Sequence, residues 1–484
     1  MGSFDSAARR IMRGTLILAI VASAGVGISR PVTADGTSMR LQERVLMQRN
    51  GSRGLEYVPT AAATGSAKGK SKLKVDVLRK IELDGAALDN TYSSLLPLDM
   101  DRNGVYEFVH WNGHQVMRVY GQSGKKLWQV TNSAARKVGP SSFIHRDGAA
   151  VLDLDGDGKD DVLHCWQSGS TRRLVARDGA SGKEIRHASL NGQSNSGGSL
   201  CRIAVYRTEA TKKPVILVAH SQPGGGAKCG KRNWPDNWTR VVAFDTKLKQ
   251  LWHVDTCDAG HHTAGVDQDG DGYMDYFFAG KYSIDFNGKI RCTLAGWNKS
   301  DHVDAVRIAK LGGSKLQAVA IGRSGGGAFD VGNCKRLWSL PSVVKNPQEL
   351  VVAQFDPVPK PLGVMIAQRS TKGQSSTFIL NSKGKLVHTI KNREVMAMQN
   401  AELDGNRRTD EVVAIFGEVF DGKGTKILSK DWYWNLKGSK VKEKKTSNVY
   451  DRWVSFPVLF DVDSDGRDEL VTWGQSLIVV GRPR

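Results

Sequence analysis

Four short acidic loops, each set between two apolar runs, constrain this chain more than any other feature. Asp153-Leu154-Asp155-Gly156-Asp157-Gly158-Lys159-Asp160-Asp161 carries acidic side chains at its first, third, fifth and ninth positions and glycine at its sixth. Oxygen ligands on alternate residues can converge on one hard cation, and the glycine permits the turn that wraps them round it, a pattern that selects Ca²⁺ over softer metals. The flanks, Ala149–Leu152 and Val162–Trp166, are short, apolar and partly β-branched, so the loop joins two strands. One copy alone reads equally well as a plain Asp/Gly hairpin turn. The pattern returns, however, with candidate ligands Asp267, Asp269, Asp271 and Asp275, and again with Asp461, Asp463, Asp465 and Glu469. Asp99, Asp101, Asn103 and Glu107 form a fourth copy with Asn in the fifth position. Recurrence between paired apolar runs favours calcium sites. A worn copy at Glu402-Leu403-Asp404-Gly405-Asn406, with Arg407 where glycine should stand, reads as a turn.

From residue 73 onward the chain is one repeat array. Units lacking the acidic loop keep its flanking strands, as in Cys201–Tyr206 with Val215–Ala219 and Ala305–Ile308 with Ala318–Ile321. Many units end in a Gly-Lys-x-apolar or Leu-Trp strand, such as Gly124-Lys125-Lys126-Leu127-Trp128 and Lys335-Arg336-Leu337-Trp338. First strands fall near residues 95, 149, 201, 264, 305, 350, 398 and 456. Units of roughly 40 to 60 residues with four strands and little helical period are propeller blades. The expected fold is therefore all-β, an eight-bladed β-propeller, with seven blades as the alternative. The last unit ends one strand short, and the stretch 73–83 has the character to supply that strand and remove an exposed sheet edge.

Residues 1–34 read as an export signal, with Arg9, Arg10 and Arg13 ahead of the apolar stretch from Thr15 to Ile28. Residues 35–72 read as a flexible basic linker and 73–484 as the propeller. The expected location is secreted, periplasmic or extracellular, with no membrane-integral segment once the signal is gone, and the expected state is a monomer. A formal net charge of +20 favours acidic partners. For an exported protein these are acidic, pectin-like polysaccharides or cell-envelope polymers before nucleic acid, which we do not expect as a partner; charge for simple solubility explains the excess equally well. Six cysteines (165, 201, 229, 257, 292, 334) in such a compartment imply disulfides. Cys292 and Cys334 hold equivalent places in neighbouring units and are the first choice for a pair.

Val151–Val162, the stretch His261-His262-Thr263-Ala264-Gly265-Val266 leading into Asp267, His302-Val303-Asp304-Ala305-Val306, Gln354–Pro357 and Phe460–Leu470 together resemble the FG-GAP/VCBS-type secreted calcium propellers. Within that group the chain is most similar to the propeller of the family-11 rhamnogalacturonan lyases, over most of residues 95–480. The resemblance implies an eight-bladed fold, bound Ca²⁺ and, as one reading, a polysaccharide lyase acting by β-elimination. It implies a site at His261, His302 and Asp304. The chain departs from the family after Val218, where Ala219-His220-Ser221-Gln222-Pro223 replaces a Tyr/Arg-rich strand end.

Loops that precede innermost strands converge on one propeller face, and here they carry His145 with Asp147, His261 with His262, and His302 with Asp304. Histidine suits a general base near neutral pH, although a loop histidine is more often a hydrogen-bonding residue. The insertion 221–238 brings Lys231, Arg232, Trp234 and Trp238 to the same face. Tryptophan stacks on sugar rings and basic groups hold carboxylates; packing of the loop by its own aromatics is the competing account. Three functions stand open: a binding module for acidic polysaccharide, a rhamnogalacturonan-type lyase, and a non-catalytic protein-binding envelope scaffold.

Overall fold

A run such as Ala149-Ala150-Val151-Leu152 can be buried at every residue only if its sheet is covered on both faces, and a ring of stacked sheets provides that cover. A computed structural model shows this ring. It describes residues 73–83, 94–111, 116–131, 148–168, 171–190, 201–208, 213–221, 229, 239–261, 263–357, 360–371, 374–391, 398–401, 403, 409–414, 417–429, 431–434, 436, 458–460, 462, 469–473 and 477–484. Among them are eight four-stranded antiparallel sheets, seven of which are simple meanders in chain order. We number these blades 1 to 8 from 94–131, 149–189, 201–256, 263–293, 305–339, 347–391 and 399–428, ending with 458–483. The count is eight, not seven.

Inner strands such as Thr263–Val266 and Ala305–Ala309 are buried throughout, whereas the outer strand Lys126–Thr131 has only exposed and half-buried residues. The core is accordingly divided among the blade interfaces. One apolar cluster lies between each neighbouring pair, including blades 8 and 1, where Phe108, Tyr120 and Leu95 meet Trp473, Val471 and Ile478. Blade 8 takes its outermost strand from the start of the array. Val75–Glu82 pairs antiparallel with Leu477–Pro483, from Val75↔Pro483 to Glu82↔Leu477.

The recurrent Leu-Trp ending has a packing reason. Trp252, on the outer strand of blade 3, lies over Gly288 in the outer turn of blade 4 and donates its indole N–H to the Phe286 carbonyl at 2.6 Å. Trp128 does the same over Gly182, donating to Gly179 O at 2.8 Å. A Cβ on Gly288 would stand 2.8 Å from the Trp252 ring, and the residue has φ +82°, so only glycine fits. Disulfides join Cys165 to Cys201, Cys229 to Cys257 and Cys292 to Cys334, which leaves no free cysteine. The third links the outer parts of blades 4 and 5.

In an antiparallel meander, the link into each blade and the link between its second and third strands share one face; the other two turns share the opposite face. This places His261 and His302 on one face, away from the acidic loops. No described helix is long and apolar enough to cross a membrane. Residues 1–34 and 35–72, where a signal and a linker are expected, lie outside the described residues.

Candidate functional site

Two links meet beside blade 4. One, 257–261, runs from the outer strand Gln250–Thr256 of blade 3 into Thr263–Val266; the other, 294–304, runs from Ile290–Thr293 into Ala305–Ala309. Glycine lets the first link close on the turn between the second and third strands of blade 4. A Cβ on Gly260 would lie 2.8 Å from the Gly280 Cα, and one on Gly280 would lie 2.7 Å from the Gly260 nitrogen. A Cβ on Gly322 would fall 2.1 Å from the His302 carbonyl oxygen, so the blade 5 turn also presses against the site.

The packing brings His261, His302 and Asp304 together, with one donor atom from each lying within 4.8 Å of the others. His302 Nε2 is 2.7 Å from His261 Nε2 and 3.5 Å from Asp304 Oδ1. Its Nδ1 is 2.7 Å from Asp258 Oδ2, while Asp258 Oδ1 accepts the Gly260 N–H at 2.7 Å. Asp258 is buried and has φ 130°, a backbone conformation that is sparsely populated for a residue with a side chain. The other Asp304 oxygen, Oδ2, is buried with no hydrogen-bond partner.

Burial alone would lower the proton affinity of His302, but the Asp258 carboxylate beside it, with Asp304 behind, holds the ring well above the usual histidine range. Burial raises the Asp304 carboxyl, and His302 draws it part of the way back. A doubly hydrogen-bonded, protonated His302 is one way to satisfy this cluster. The other is a divalent cation. Two imidazole nitrogens facing one point, a buried carboxylate oxygen without a donor, and a carboxylate behind one histidine form a metal-ligand set with its outer support. The residues fit such an ion. Two nitrogens and a carboxylate suit Zn²⁺, Mn²⁺ or Co²⁺ better than the all-oxygen preference of Ca²⁺.

The acidic loops on the other face share one internal pattern. Asp153 Oδ1 and Oδ2 accept the N–H groups of Gly156 and Gly158 at 2.7 and 2.9 Å. Asp267 accepts those of Gly270 and Gly272 at 2.7 and 2.9 Å. The ninth residue closes each loop from the far side, Asp161 accepting from Leu154 N at 3.1 Å and Asp275 from Gln268 N at 2.7 Å. Carboxylates of Asp153, Asp155 and Asp161 converge within 4.8 Å, as do those of Asp267, Asp269 and Asp271. These two clusters could hold a metal ion; Asp157 and Asp275 stand outside them. The loop of Asp99, Asp101, Asn103 and Glu107 keeps a Gly104 N–H bond to Asp99 at 3.3 Å, but brings no such group of three together. Burial pushes Glu107 and Asp161 up to about 7.

Glu469 is described, fully buried, and bound by Arg482 Nε at 2.8 Å and Val462 N at 2.9 Å. Asp461, Asp463 and Asp465 lie outside the described residues, as do His145, Asp147, His262, Lys231, Arg232, Trp234 and Trp238. Sequence reasoning missed Asp258 and Lys281. The signal for Asp258 was its place three residues before His261; Lys281 followed a glycine and looked like any turn lysine.

No protein-family model matches the chain, and no curated protein does. Among solved structures, the rhamnogalacturonan lyase YesW aligns with TM-score 0.51 and 17% identity over 85% of this chain and 75% of that one. The exotype rhamnogalacturonan lyase YesX aligns with TM-score 0.52 and 17% identity over 84% and 76%. At that identity the likeness establishes the propeller fold.

Proposed function

We propose that this chain binds an acidic polysaccharide on the face where His261, His302 and Asp304 meet, and that Ca²⁺ in the acidic loops stabilises the blades from the opposite face. One observation carries the reading: a ring nitrogen each from His261 and His302 and a carboxylate oxygen of the buried Asp304 converge within 4.8 Å of one another. A divalent cation held there supplies positive charge that neutralises a uronate carboxylate. Asp258 orients the His302 ring and fixes which nitrogen faces the centre, and Asp304 supplies the oxygen donor. Complete pairing of the six cysteines supports an oxidising, exported setting. Lys231, Arg232, Trp234 and Trp238, in the insertion that follows Ser221, would add basic groups for carboxylates and rings for sugar stacking.

A second reading is a lyase that β-eliminates rhamnogalacturonan-like pectin. It rests on the fold shared with two rhamnogalacturonan lyases and on the same three residues. Neutralising the carboxylate would acidify the C5 proton, which a base must then remove. Both ring nitrogens of His302 are engaged, so its geometry fits a ligand better than a free base.

Titration of the full chain with pectic rhamnogalacturonan and polygalacturonate, in Ca²⁺ and low salt, tests both readings. Binding that weakens with salt and with His302→Ala is expected. No affinity for any acidic glycan at low salt, where attraction is least screened, would end the first reading. Release of unsaturated, ultraviolet-absorbing product would establish the second.

A further inference from the structure

Lys281 is the one buried lysine among the described residues, with 1% of its surface exposed. It follows Gly280 in the turn between the second and third strands of blade 4, where a turn lysine ordinarily points into water. Its ammonium instead runs beneath the site. Nζ donates to Asp301 O at 2.7 Å, to Lys299 O at 3.0 Å and to Cys257 O at 3.4 Å, and lies 5.4 Å from the Tyr282 ring centre. Three donors meet three carbonyls, which accounts for the full hydrogen-bonding capacity of the group.

The carbonyls come from two separate links between blades, and their places in the chain are informative. Cys257 immediately precedes Asp258, the residue that holds His302; Asp301 immediately precedes His302 itself. Burial lowers the proton affinity of Lys281 below that of an ordinary lysine, and the carboxylates of Asp258 and Asp301 offset part of that loss. An apolar side chain would fill the volume without a buried charge, but it could not grip both backbones.

We propose that Lys281 is a positioning residue, an internal cation that docks the 257–261 link against the 299–304 link so that His261, His302 and Asp304 meet. The proposal rests on the metal reading given above for its function. The docking itself is a property of the chain before any ion binds.

Lys281→Met keeps the volume and removes the charge; Lys281→Ala leaves space for propylammonium, which matches the lost atoms. The assays are Co²⁺ titration followed by its visible spectrum, with Ca²⁺ present for the acidic loops, and amide hydrogen exchange in metal-free full-length protein. Lys281→Met should bind Co²⁺ at least ten-fold more weakly, with faster exchange confined to 257–261 and 299–304. Lys281→Ala should recover affinity and protection with propylammonium but not with 1-propanol. Wild-type Co²⁺ affinity and loop protection in Lys281→Met would overturn the proposal. Equal rescue by propanol would also overturn it, by making the role one of packing. If the wild type binds no Co²⁺ while the links still loosen in Lys281→Met, the docking role stands and the metal reading falls. The rescue experiment decides the matter even if the Met variant folds poorly.

Discussion

Asp258→Asn separates the two ways of satisfying the histidine cluster. The carboxylate accepts two hydrogen bonds, from Gly260 N to Oδ1 and from His302 Nδ1 to Oδ2, both at 2.7 Å. Asparagine has the same shape and tolerates the positive φ of 130° about as well, but it offers only one acceptor oxygen. If its NH₂ faces Gly260, a buried donor meets a donor, at a cost of about 1–3 kcal/mol. If the NH₂ faces His302, the ring must accept at Nδ1, and its proton moves to Nε2, the nitrogen that faces the centre. Either way the negative charge behind His302 is lost. Removing such outer partners typically weakens metal binding about 10- to 100-fold, or roughly 1.4–2.7 kcal/mol. The assay is Co²⁺ or Zn²⁺ titration by calorimetry, with Ca²⁺ present, across a range of pH. Asp258 also raises the proton affinity of His302, so the substitution relieves proton competition at low pH. The deficit should be full near pH 8 and shrink towards pH 6. Equal affinity at pH 8, or a deficit that grows towards pH 6, would refute the assignment of Asp258 as the support behind a metal ligand.

Chelation should lower the melting temperature, and pH should set by how much. Glu107 and Asp161 rise from 4.5 and 3.8 to about 7 in the folded state, chiefly through burial. A raised carboxylate stabilises the fold while protonated, so the metal-free protein should lose stability as pH rises from about 4 to 7. The Ca²⁺-loaded protein should not; identical melting with and without EDTA at pH 8 would reduce the loops to turns. At the rim, Gly288→Ala should cost about 1–3 kcal/mol more than Gly156→Ala in chelator. Both positions have φ near +85°, but only Gly288 meets a tryptophan ring, whereas nothing lies within 4 Å of a Cβ on Gly156. Equal denaturation midpoints would remove the tryptophan from the account of blade packing.

The fold was legible because the interactions that specify a propeller recur at short range. A buried run such as Ala149–Leu152, a turn and a second apolar run repeat with each blade, so even units without an acidic loop announced themselves through their strands. The closing strand was readable for the same reason: the last unit was one strand short, and Val75–Glu82 had the matching pattern. What the pattern withheld was the reason for the Leu-Trp endings. That contact runs from Trp252 to Gly288, between blades, and no single repeat contains both partners. The disulfides are likewise contacts between blades. Cys292, on the outer strand Ile290–Thr293 of blade 4, bonds to Cys334, in the turn ahead of Arg336–Ser339 of blade 5; the pair was matched from sequence although the two do not hold equivalent places. Cys165 and Cys201 join the second strand of blade 2 to the first strand of blade 3.

The site was legible only in its outermost layer, because sequence marks side-chain chemistry more plainly than backbone approach. His261, His302 and Asp304 could be singled out as polar residues ahead of inner strands. Their convergence depends on Gly260 and Gly280 closing to less than a side chain's width, on the strained backbone of Asp258, and on a lysine spent on backbone carbonyls. None of these carries a spacing rule. They do explain why the site belongs to the fold rather than to one loop. The link 257–261 leaves blade 3, the turn at Gly280 and Lys281 belongs to blade 4, and His302 leads into blade 5. A change in the stacking of any of these three blades therefore moves one donor relative to the others. Calcium in the Asp267 loop, at the far end of the same inner strand Thr263–Val266, would stiffen the blade on which both His261 and Lys281 depend. Loss of calcium should thus weaken the histidine centre as well as the ring, with blade 4 as the physical connection between the two faces.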